Sequence, residues 1–423
     1  MSNGDFMSFG KLAVDWEERI NIHRMRKERI ERVREKAAKH GLKALLLLHG
    51  DNMRYVGAGD GVHLFMGVTG YRYALFPTDA EPTLFEVGMR KGYTENACPW
   101  VKVRYAIPVM PYLASSTPTG VHEHQLNKFA NQIKAELESH GLLNEPLGID
   151  AYEHSIVRAL KNLDIEVSLD GAKAMIEART IKTRDEVECL RMAASIVESI
   201  FAKFEEAITP GATEVQLRAI GTYTAYMAGA DWASAPDINS GPHTWPMAVQ
   251  CSDRAIRPGD LIAAALCNIS YNGYRSCYYR TFSCGRPTQA QKDSYARTID
   301  LLYDAIKAIK VGATTKDLAE KWPKAGEFGW PDEDSAVLMQ WGHGIGLGLY
   351  ESPVISRIWS LDYPEKIEPG MTFAIETIWP TDEKSLECPH GQATRVEEMI
   401  HVTEAGVDIL SRWPVDEMTV CEI

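Results

Sequence analysis

Three short stretches carry the ionisable groups best spaced for chemistry. His343 lies in Trp341-Gly-His-Gly-Ile-Gly-Leu-Gly-Leu-Tyr350, Glu376 in Phe373-Ala-Ile-Glu-Thr-Ile378, and Glu397 in Arg395-Val-Glu-Glu-Met-Ile400. Glycines on both sides of His343 let a ligand approach the imidazole closely, and an imidazole titrating near neutrality can shuttle a proton. A turn histidine satisfied by backbone carbonyls is the other reading of the same pattern. Glu376 stands in an apolar strand, where an ionised carboxylate is costly unless it is paired or bound, so it asks for a partner. Around Glu397 a period of two turns Arg395, Glu397 and Met399 to one face and Val396, Glu398 and Ile400 to the other. A surface strand with an Arg–Glu pair would show the same alternation.

Upstream, the strand Gly259-Asp-Leu-Ile-Ala-Ala-Ala265 runs on to Cys267 and, beyond a Tyr-Asn-Gly turn, to Cys277. Cys267 and Cys277 together with His343, Glu376 and Glu397 could hold one soft transition metal. They could equally be small buried hydrophobes, or Cys277 could be a nucleophile.

These groups need a scaffold, and hydrophobic patterning supplies an α/β one. A charged helix over residues 15–40 closes at Gly41, and Ala44–Leu48 follows as a buried strand. Strands at Tyr73–Phe76, Thr83–Val87 and Val101–Tyr105, a helix over Leu126–Leu142, and last strands at Gly148–Asp150 and Ile165–Leu169 complete a first domain, residues 1–175. Thr183-Arg-Asp-Glu186 is a capping box that opens a long helix to about Glu206 in a second domain, residues 176–423. Inside that domain the chain repeats itself. Ile208-Thr-Pro-Gly-Ala-Thr213 echoes Ile309-Lys-Val-Gly-Ala-Thr314, and Pro258-Gly-Asp-Leu-Ile-Ala-Ala-Ala265 echoes Pro369-Gly-Met-Thr-Phe-Ala-Ile-Glu376. The second echo aligns Ala265 with Glu376, as expected of a pseudo-twofold α/β domain whose halves each deliver one strand to a central site.

Composition narrows the partners. At 423 residues, 45% hydrophobic and 24% charged, the chain has material for two ordinary globular cores. A formal charge of −13 and no basic stripe with interleaved aromatics exclude nucleic acid as an expected partner and leave small molecules. The first ten residues carry no basic and apolar leader, and no run approaches the roughly 18 apolar residues of a membrane span, so a cytoplasmic protein is expected. The eight cysteines lack CxxC spacing, which predicts free thiols and no zinc ribbon.

Taken together, the helix start Ile181-Lys-Thr-Arg-Asp-Glu-Val-Glu-Cys-Leu, the Gly-His-Gly-Ile-Gly segment, the Glu368-Pro-Gly-Met-Thr-Phe-Ala-Ile-Glu376 run and the Arg-Val-Glu-Glu strand resemble the pita-bread superfamily of methionine aminopeptidase, aminopeptidase P, prolidase and creatinase. The resemblance covers both domains and implies a creatinase-like N-terminal domain followed by a pita-bread catalytic domain. In its dinuclear members two Asp, one His and two Glu clamp a pair of metal ions. Only His343, Glu376 and Glu397 match here. Ala265 and Cys277 stand at the positions of the two aspartates, and Tyr350 replaces a histidine common in the peptidases. That loss resembles creatinase and ectoine hydrolase, whereas Ser240-Gly-Pro-His-Thr-Trp-Pro-Met247 is closest to the dimethylsulfoniopropionate lyase branch, which uses aspartates at 265, 267 and 277.

The resemblance therefore implies a metal-independent, creatinase-like hydrolase of a C–N bond in a small polar nitrogenous compound, homodimeric and without a cofactor. His343 or His243 would move the proton, Glu376 and Glu397 would bind a cationic group, and Tyr350 would shape the pocket. The position of His243 is near that of creatinase's catalytic histidine, although counting back from Gly259-Asp260 reaches Met247. Arg72, Trp379, Arg395 and Cys277 are the expected substrate contacts, Arg72 as a carboxylate clamp lent by a second subunit. The alternatives are a lyase acting on a small zwitterion with Tyr350 as base, an Xaa-Pro-type metallopeptidase homologue, and a non-catalytic pita-bread binding protein.

Overall fold

In a computed structural model, residues 20–57, 70–110, 113–118, 120–234, 236–246, 248, 250–337, 339–382 and 391–423 are described. The chain divides into two compact units, one ending at Arg179 and the other running from Thr180 to Ile423. The expected helix positions 15–19, Met247 and Cys388 lie outside the described residues.

The first unit is built on a six-stranded mixed sheet of β1 (Ala44–Leu47), β2 (Tyr73–Pro77), β3 (Thr83–Glu86), β4 (Lys102–Tyr105), β5 (Leu147–Ile149) and β6 (Val167–Ser168), in the order β4-β3-β2-β1-β5-β6. Its helix Ile22–Lys39 starts where the Asn21 side chain accepts from the Arg24 amide at 2.9 Å and stops before Gly41, whose φ of 68° only glycine adopts without strain. A second helix runs over Val121–Ser139 rather than 126–142. Leu126, Phe129, Ile133 and Leu137 on its inner face pack with Leu46, Tyr73, Leu75 and Phe85 of the sheet. The last strand shrinks to two residues, because Ile165 is already buried in that core ahead of the pairing with β5.

The second unit opens as the capping box requires. Thr183 N donates to Glu186 Oε2 at 2.7 Å and Glu186 N donates back to Thr183 Oγ1 at 3.2 Å, starting the helix Arg184–Ala207. After the helix Glu214–Met227 come β7 (Trp232–Ala233), β8 (Asp237–Ser240), β9 (Leu261–Ala265), β10 (Ile269–Tyr271), β11 (Tyr274–Arg275) and β12 (Tyr279–Cys284). The helix Gln289–Ala308 leads to β13 (Gln340–Gly344), β14 (Glu351–Ile355), β15 (Thr372–Pro380), β16 (Ala393–Thr403), β17 (Gly406–Ile409) and β18 (Thr419–Cys421). They form three sheets, β11-β10-β7, β18-β12-β9-β8 and β14-β13-β15-β16-β17.

The internal echo is visible in the backbone. Gly211 N and Ile256 O, and Ile256 N and Ala212 O, pair at 2.9 and 2.8 Å, and the equivalent Gly312, Ile367 and Ala313 repeat the pattern at 3.2 and 2.8 Å. Both Pro-Gly turns that launch β9 and β15 carry a left-handed glycine, Gly259 at φ 86° and Gly370 at φ 87°. The two halves meet where β12 runs beside β16. There Arg395 N donates to Thr281 Oγ1 and Thr281 Oγ1 donates to Arg395 O, each at 2.8 Å.

One residue before Thr281 on β12, Arg280 is buried and makes its hydrogen bonds through Nη1 and Nη2, while Nε has no hydrogen-bond partner. It donates to both Glu398 oxygens at 2.9 and 3.0 Å, to Glu397 O at 2.7 Å and to Trp413 O at 3.0 Å. Arg280→Met therefore removes the donor shared by three carbonyls, those of Tyr279, Glu397 and Trp413, and leaves the buried Glu398 carboxylate without its cation, with only the hydroxyls of Tyr303 and Ser411 donating to it. We expect a loss of about 3–5 kcal/mol in urea denaturation, and a variant as stable as the parent would remove this pair from the junction's supports.

Candidate active site

The expected residues converge on the inner side of that junction, from both halves. Glu376 on β15 and Glu397 on β16 are register partners, opposite each other on neighbouring strands. Arg395 lies two residues before Glu397 on the same face. Its Nη2 and Nε donate to Glu376 Oε2 at 2.6 and 3.2 Å, and its guanidinium stacks 4.5 Å over the Tyr279 ring. Glu376 thus has the partner its apolar strand demanded, and Arg395 is an internal counter-ion. Glu397 does not: it is fully buried, and neither side-chain oxygen has a hydrogen-bond partner. The Arg395 guanidinium and then the adjacent Cys277 thiol lower its pKa. Burial first, then Glu376 and Cys267, hold the Glu397 carboxyl well above the usual carboxylate range.

The N-terminal half contributes sulfur. Leu266 N→Tyr278 O at 3.1 Å and Asn268 N→Ser276 O at 2.9 Å bracket Cys267 and Cys277, which face each other with 3.1 Å between their Sγ atoms. The Cys267 thiol donates to Tyr279 Oη at 3.3 Å. Among the described residues, Cys267, Cys277 and Glu397 bring one ligand atom each within 4.8 Å of one another. Burial and the neighbouring Cys267, Glu397 and Glu376 push the Cys277 thiol up, the opposite of what a nucleophilic cysteine needs. Tyr279, absent from the expected residues, could have been found from its i, i+2 spacing to Cys277 at the start of β12.

His343 comes up on β13, buried, with Nδ1 2.9 Å from the Gly344 carbonyl, and the backbone of Leu349 holds the ring too. It lies outside the Cys–Cys–Glu group. Its ring packs against Tyr350 at 4.5 Å between centroids. Tyr350 is 58% exposed, yet desolvation of its hydroxyl, followed by Cys277, Cys267, Glu376 and Glu397, raises its pKa. The residue is thus a hydrogen-bond donor and ill suited to the role of base. His343 and Tyr350 stand on the Cys/Glu flank of the site.

Other expected residues lie elsewhere. The His243 ring is bound by Glu214, with Nδ1 3.0 Å from Oε1, and Glu214 also accepts from Ser240 and Ser252. This network fixes the loop around the left-handed Gly241 (φ 53°). Trp379, at the end of β15, packs on Phe328 at 5.3 Å and under the Arg297 guanidinium at 5.2 Å. Arg72, in the first unit, is buried and paired with Glu86 at 3.1 Å, so it is neither solvated nor presented as an open clamp.

A pair of hard metal ions does not fit these residues. Ala265 offers no ligand atom, position 277 offers sulfur in place of oxygen, and the carboxylate of Glu376 is already claimed by Arg395. The same pairing sets the cost of removing the charge of Glu376. Glu376→Gln strands Arg395 and should cost about 3–5 kcal/mol, whereas Glu397→Gln relieves an unpartnered acid and should leave the melting temperature unchanged or higher. Equal melts for the two variants would refute the assigned pairing. Burial also pushes the His343 imidazole down from its ordinary 6.5 to about 4. A folded state that resists protonation keeps its full stability above pH 6.5 and loses it as pH falls toward 4, by up to about 3 kcal/mol. His343→Gln should flatten that limb of the stability-pH curve, and an unchanged limb would show that His343 titrates freely.

Comparison with known proteins places this site. A profile of metallopeptidase family M24 matches residues 188–404. The Xaa-Pro dipeptidase of Pyrococcus furiosus is 29% identical over 266 residues, 62% of this chain and 69% of that protein. The dimethylsulfoniopropionate lyase DddP of Roseobacter denitrificans is 23% identical over 410 residues, 93% of this chain and 86% of that protein. Among solved structures, a prolidase from Thermococcus sibiricus superposes with a TM-score of 0.72 at 22% identity, covering 93% of this chain and 98% of that one, a likeness of fold. These matches overturn the expectation of a metal-independent, creatinase-like hydrolase of non-peptide C–N bonds with no cofactor, since the matched family is one of metallopeptidases and the matched relative a dipeptidase. The physical reason is that losing aspartates at 265 and 277 does not empty the site of metal-ligating atoms, because two thiols and a carboxyl still converge there. The five-residue soft-metal set fails in its own way, with His343 outside the convergent group and Glu376 held by Arg395. With a profile spanning half its length and the residues of the site inside that span, this chain belongs to metallopeptidase family M24.

Proposed function

We propose that the protein hydrolyses peptide bonds in short peptides, with Xaa-Pro dipeptides as the first substrate class. The observation that carries this reading is that Cys267, Cys277, Tyr279, His343, Tyr350, Glu376, Arg395 and Glu397 all fall within the segment matched by the metallopeptidase family. The named activity of the Pyrococcus furiosus relative supports the substrate class.

In this reading each side chain has a task set by its surroundings. Water adds to the scissile carbonyl carbon as the C–N bond breaks, and Glu397, held protonated, gives its proton to the amine that leaves and takes one back from the added water, so that a carboxylic acid and an amine result. The Tyr350 hydroxyl, which keeps its own proton, donates to the substrate carbonyl at the exposed side of the site. The Glu376–Arg395 pair keeps the floor electrically neutral and locks the strand that carries Glu397. His343 stays uncharged and supports the Tyr350 ring. The protein is further proposed to be a cytoplasmic homodimer that takes small molecules. The seven free cysteines among the described residues agree with a reducing compartment, and no helix there is long and apolar enough to cross a membrane.

The test is a panel of Xaa-Pro dipeptides, Xaa-Pro-led tripeptides and proline-free dipeptides, offered to the reduced full-length chain with Zn²⁺, Mn²⁺ or Co²⁺. Cleavage of the Xaa-Pro class is expected, with kcat/KM reduced about 10²–10³-fold in Glu397→Gln, and sedimentation of the same sample should give about twice the chain mass of 47.2 kDa. Peptides that bind and are never cleaved, under any of the three ions, would replace the peptidase by a non-catalytic binding protein, the reading that Ala265 favours.

A further inference from the structure

We propose that Cys267 and Cys277 are a reversible oxidation site, at which hydrogen peroxide converts the two thiols into a disulfide across the hairpin between β9 and β12. Formation of the bond depends on geometry alone, and only its effect on turnover rests on the peptidase reading.

The hairpin brings the sulfurs together. Asn272 and Gly273, left-handed at φ 49° and 77°, make the two-residue turn that pairs β10 with β11. Below it, Leu266 N→Tyr278 O and Asn268 N→Ser276 O bracket the cysteines and set Cys267 directly opposite Cys277. A pair lying between such bonds, rather than making them, is the kind whose side chains come nearest. The two Sγ atoms are 3.1 Å apart. A disulfide bond of about 2.05 Å asks for roughly 1 Å of further approach, which rotation about the Cα–Cβ bonds supplies.

Access sets the order of events. Cys267 is only partly buried, whereas Cys277 is sealed at 2% exposure, so a small peroxide meets Cys267 first. The Tyr279 hydroxyl, 3.3 Å from Cys267 Sγ, can turn its own proton toward a thiolate there. The Cys267 sulfur attacks one peroxide oxygen, the O–O bond breaks, and the other oxygen leaves as water with the thiol proton, which makes a sulfenic acid. The Cys277 sulfur then attacks the Cys267 sulfur, the S–O bond breaks, and the hydroxyl leaves as water with the Cys277 proton. Two electrons pass from the sulfurs to the O–O bond, and one peroxide becomes two waters. Burial pushes the Cys277 thiol up, which slows the second step, but the facing position within one hairpin supplies the effective concentration that acidity does not. A second cysteine pair, Cys284 and Cys421, are register partners on β12 and β18, and both are buried too deeply to admit the peroxide.

Both sulfurs lie within 4.8 Å of a Glu397 carboxyl oxygen. Oxidation removes the Cys277 S–H that eases ionisation of that acid in the reduced chain. On the peptidase reading, a weaker acid gives up its proton more slowly, so oxidation lowers turnover and a dithiol restores it.

The experiment treats the reduced full-length chain with hydrogen peroxide at neutral pH, blocks the remaining thiols and maps the peptides by mass spectrometry. Cleavage after Arg275 separates the two cysteines unless they are linked. Expected are the loss of two of the eight thiols per chain, a peptide pair joined through Cys267 and Cys277, and the return of both thiols with dithiothreitol. In Cys277→Ser the reaction stops at a Cys267 sulfenic acid, trapped by a cyclic 1,3-diketone, and Cys267→Ser yields neither label nor link. Cys98→Ser and Cys251→Ser leave the link intact. Should a variant fail to fold, the wild-type peptide map still decides. A link between Cys284 and Cys421 in its place, a sulfenic acid formed first at Cys277, or eight thiols surviving the peroxide would each overturn the site. Cleavage of a confirmed Xaa-Pro substrate falls several-fold in the linked chain and recovers on reduction, and an unchanged rate would overturn the coupling to Glu397. A link formed as described in a chain that cleaves no peptide would leave the oxidation site standing and remove the peptidase reading instead.

Discussion

Two carboxyl groups face each other across adjacent strands with one guanidinium between them, and much of the second unit is arranged to make that tolerable. Like charges directly opposite on a sheet destabilise it, and both Glu376 and Glu397 are cut off from water. Arg395 can neutralise only one of them, at 2.6 Å, and its position depends on Thr281 gripping its backbone from the neighbouring sheet. The other must shed its charge or find a cation. Everything unusual about the site follows from that imbalance, including the elevated pKa of Glu397 and the sulfur atoms gathered beside it.

The same junction is where the internal repeat becomes structural. Each half launches a strand from a left-handed glycine turn, and the side chains of β12 rather than a continuous ladder join the two sheets. A join made through Thr281 and Arg280 is more specific than one made by backbone alone, since it names the residue at each end. It also explains why charged side chains occupy the interior here. Arg280 ties Glu398 and the backbone of Glu397 to the opposite half, and Arg395 does the equivalent work for Glu376.

Much of this was legible in residue order. The capping box at Thr183, the strand alternation around Glu397 and the paired Pro-Gly turns are local rules, and local rules survive folding because neighbouring residues decide them. The family follows from the same motifs. What residue order could not deliver was partner choice. Nothing around Glu376 says that Arg395 is its counter-ion, since the two lie on different strands and meet only when register is set. The partner of His243 was hidden for the same reason: Glu214, far upstream, binds its ring. The reading of missing aspartates as missing metal chemistry treated each position separately, whereas ligation is a property of atoms that converge after folding. Tyr279 was overlooked because a tyrosine beside another tyrosine reads as core.

Every departure at the position of an expected aspartate sits on one hairpin, the stretch from Ala265 to Cys277, while the glutamates and their arginine sit on the other copy of the repeat. A duplicated domain of this kind separates innovation from inheritance. One copy can exchange oxygen for sulfur within a dozen residues while the other preserves the framework that any occupant of the centre must fit. The architecture therefore permits a change of donor atoms without a change of fold, and it localises that change to a segment short enough to be transplanted whole.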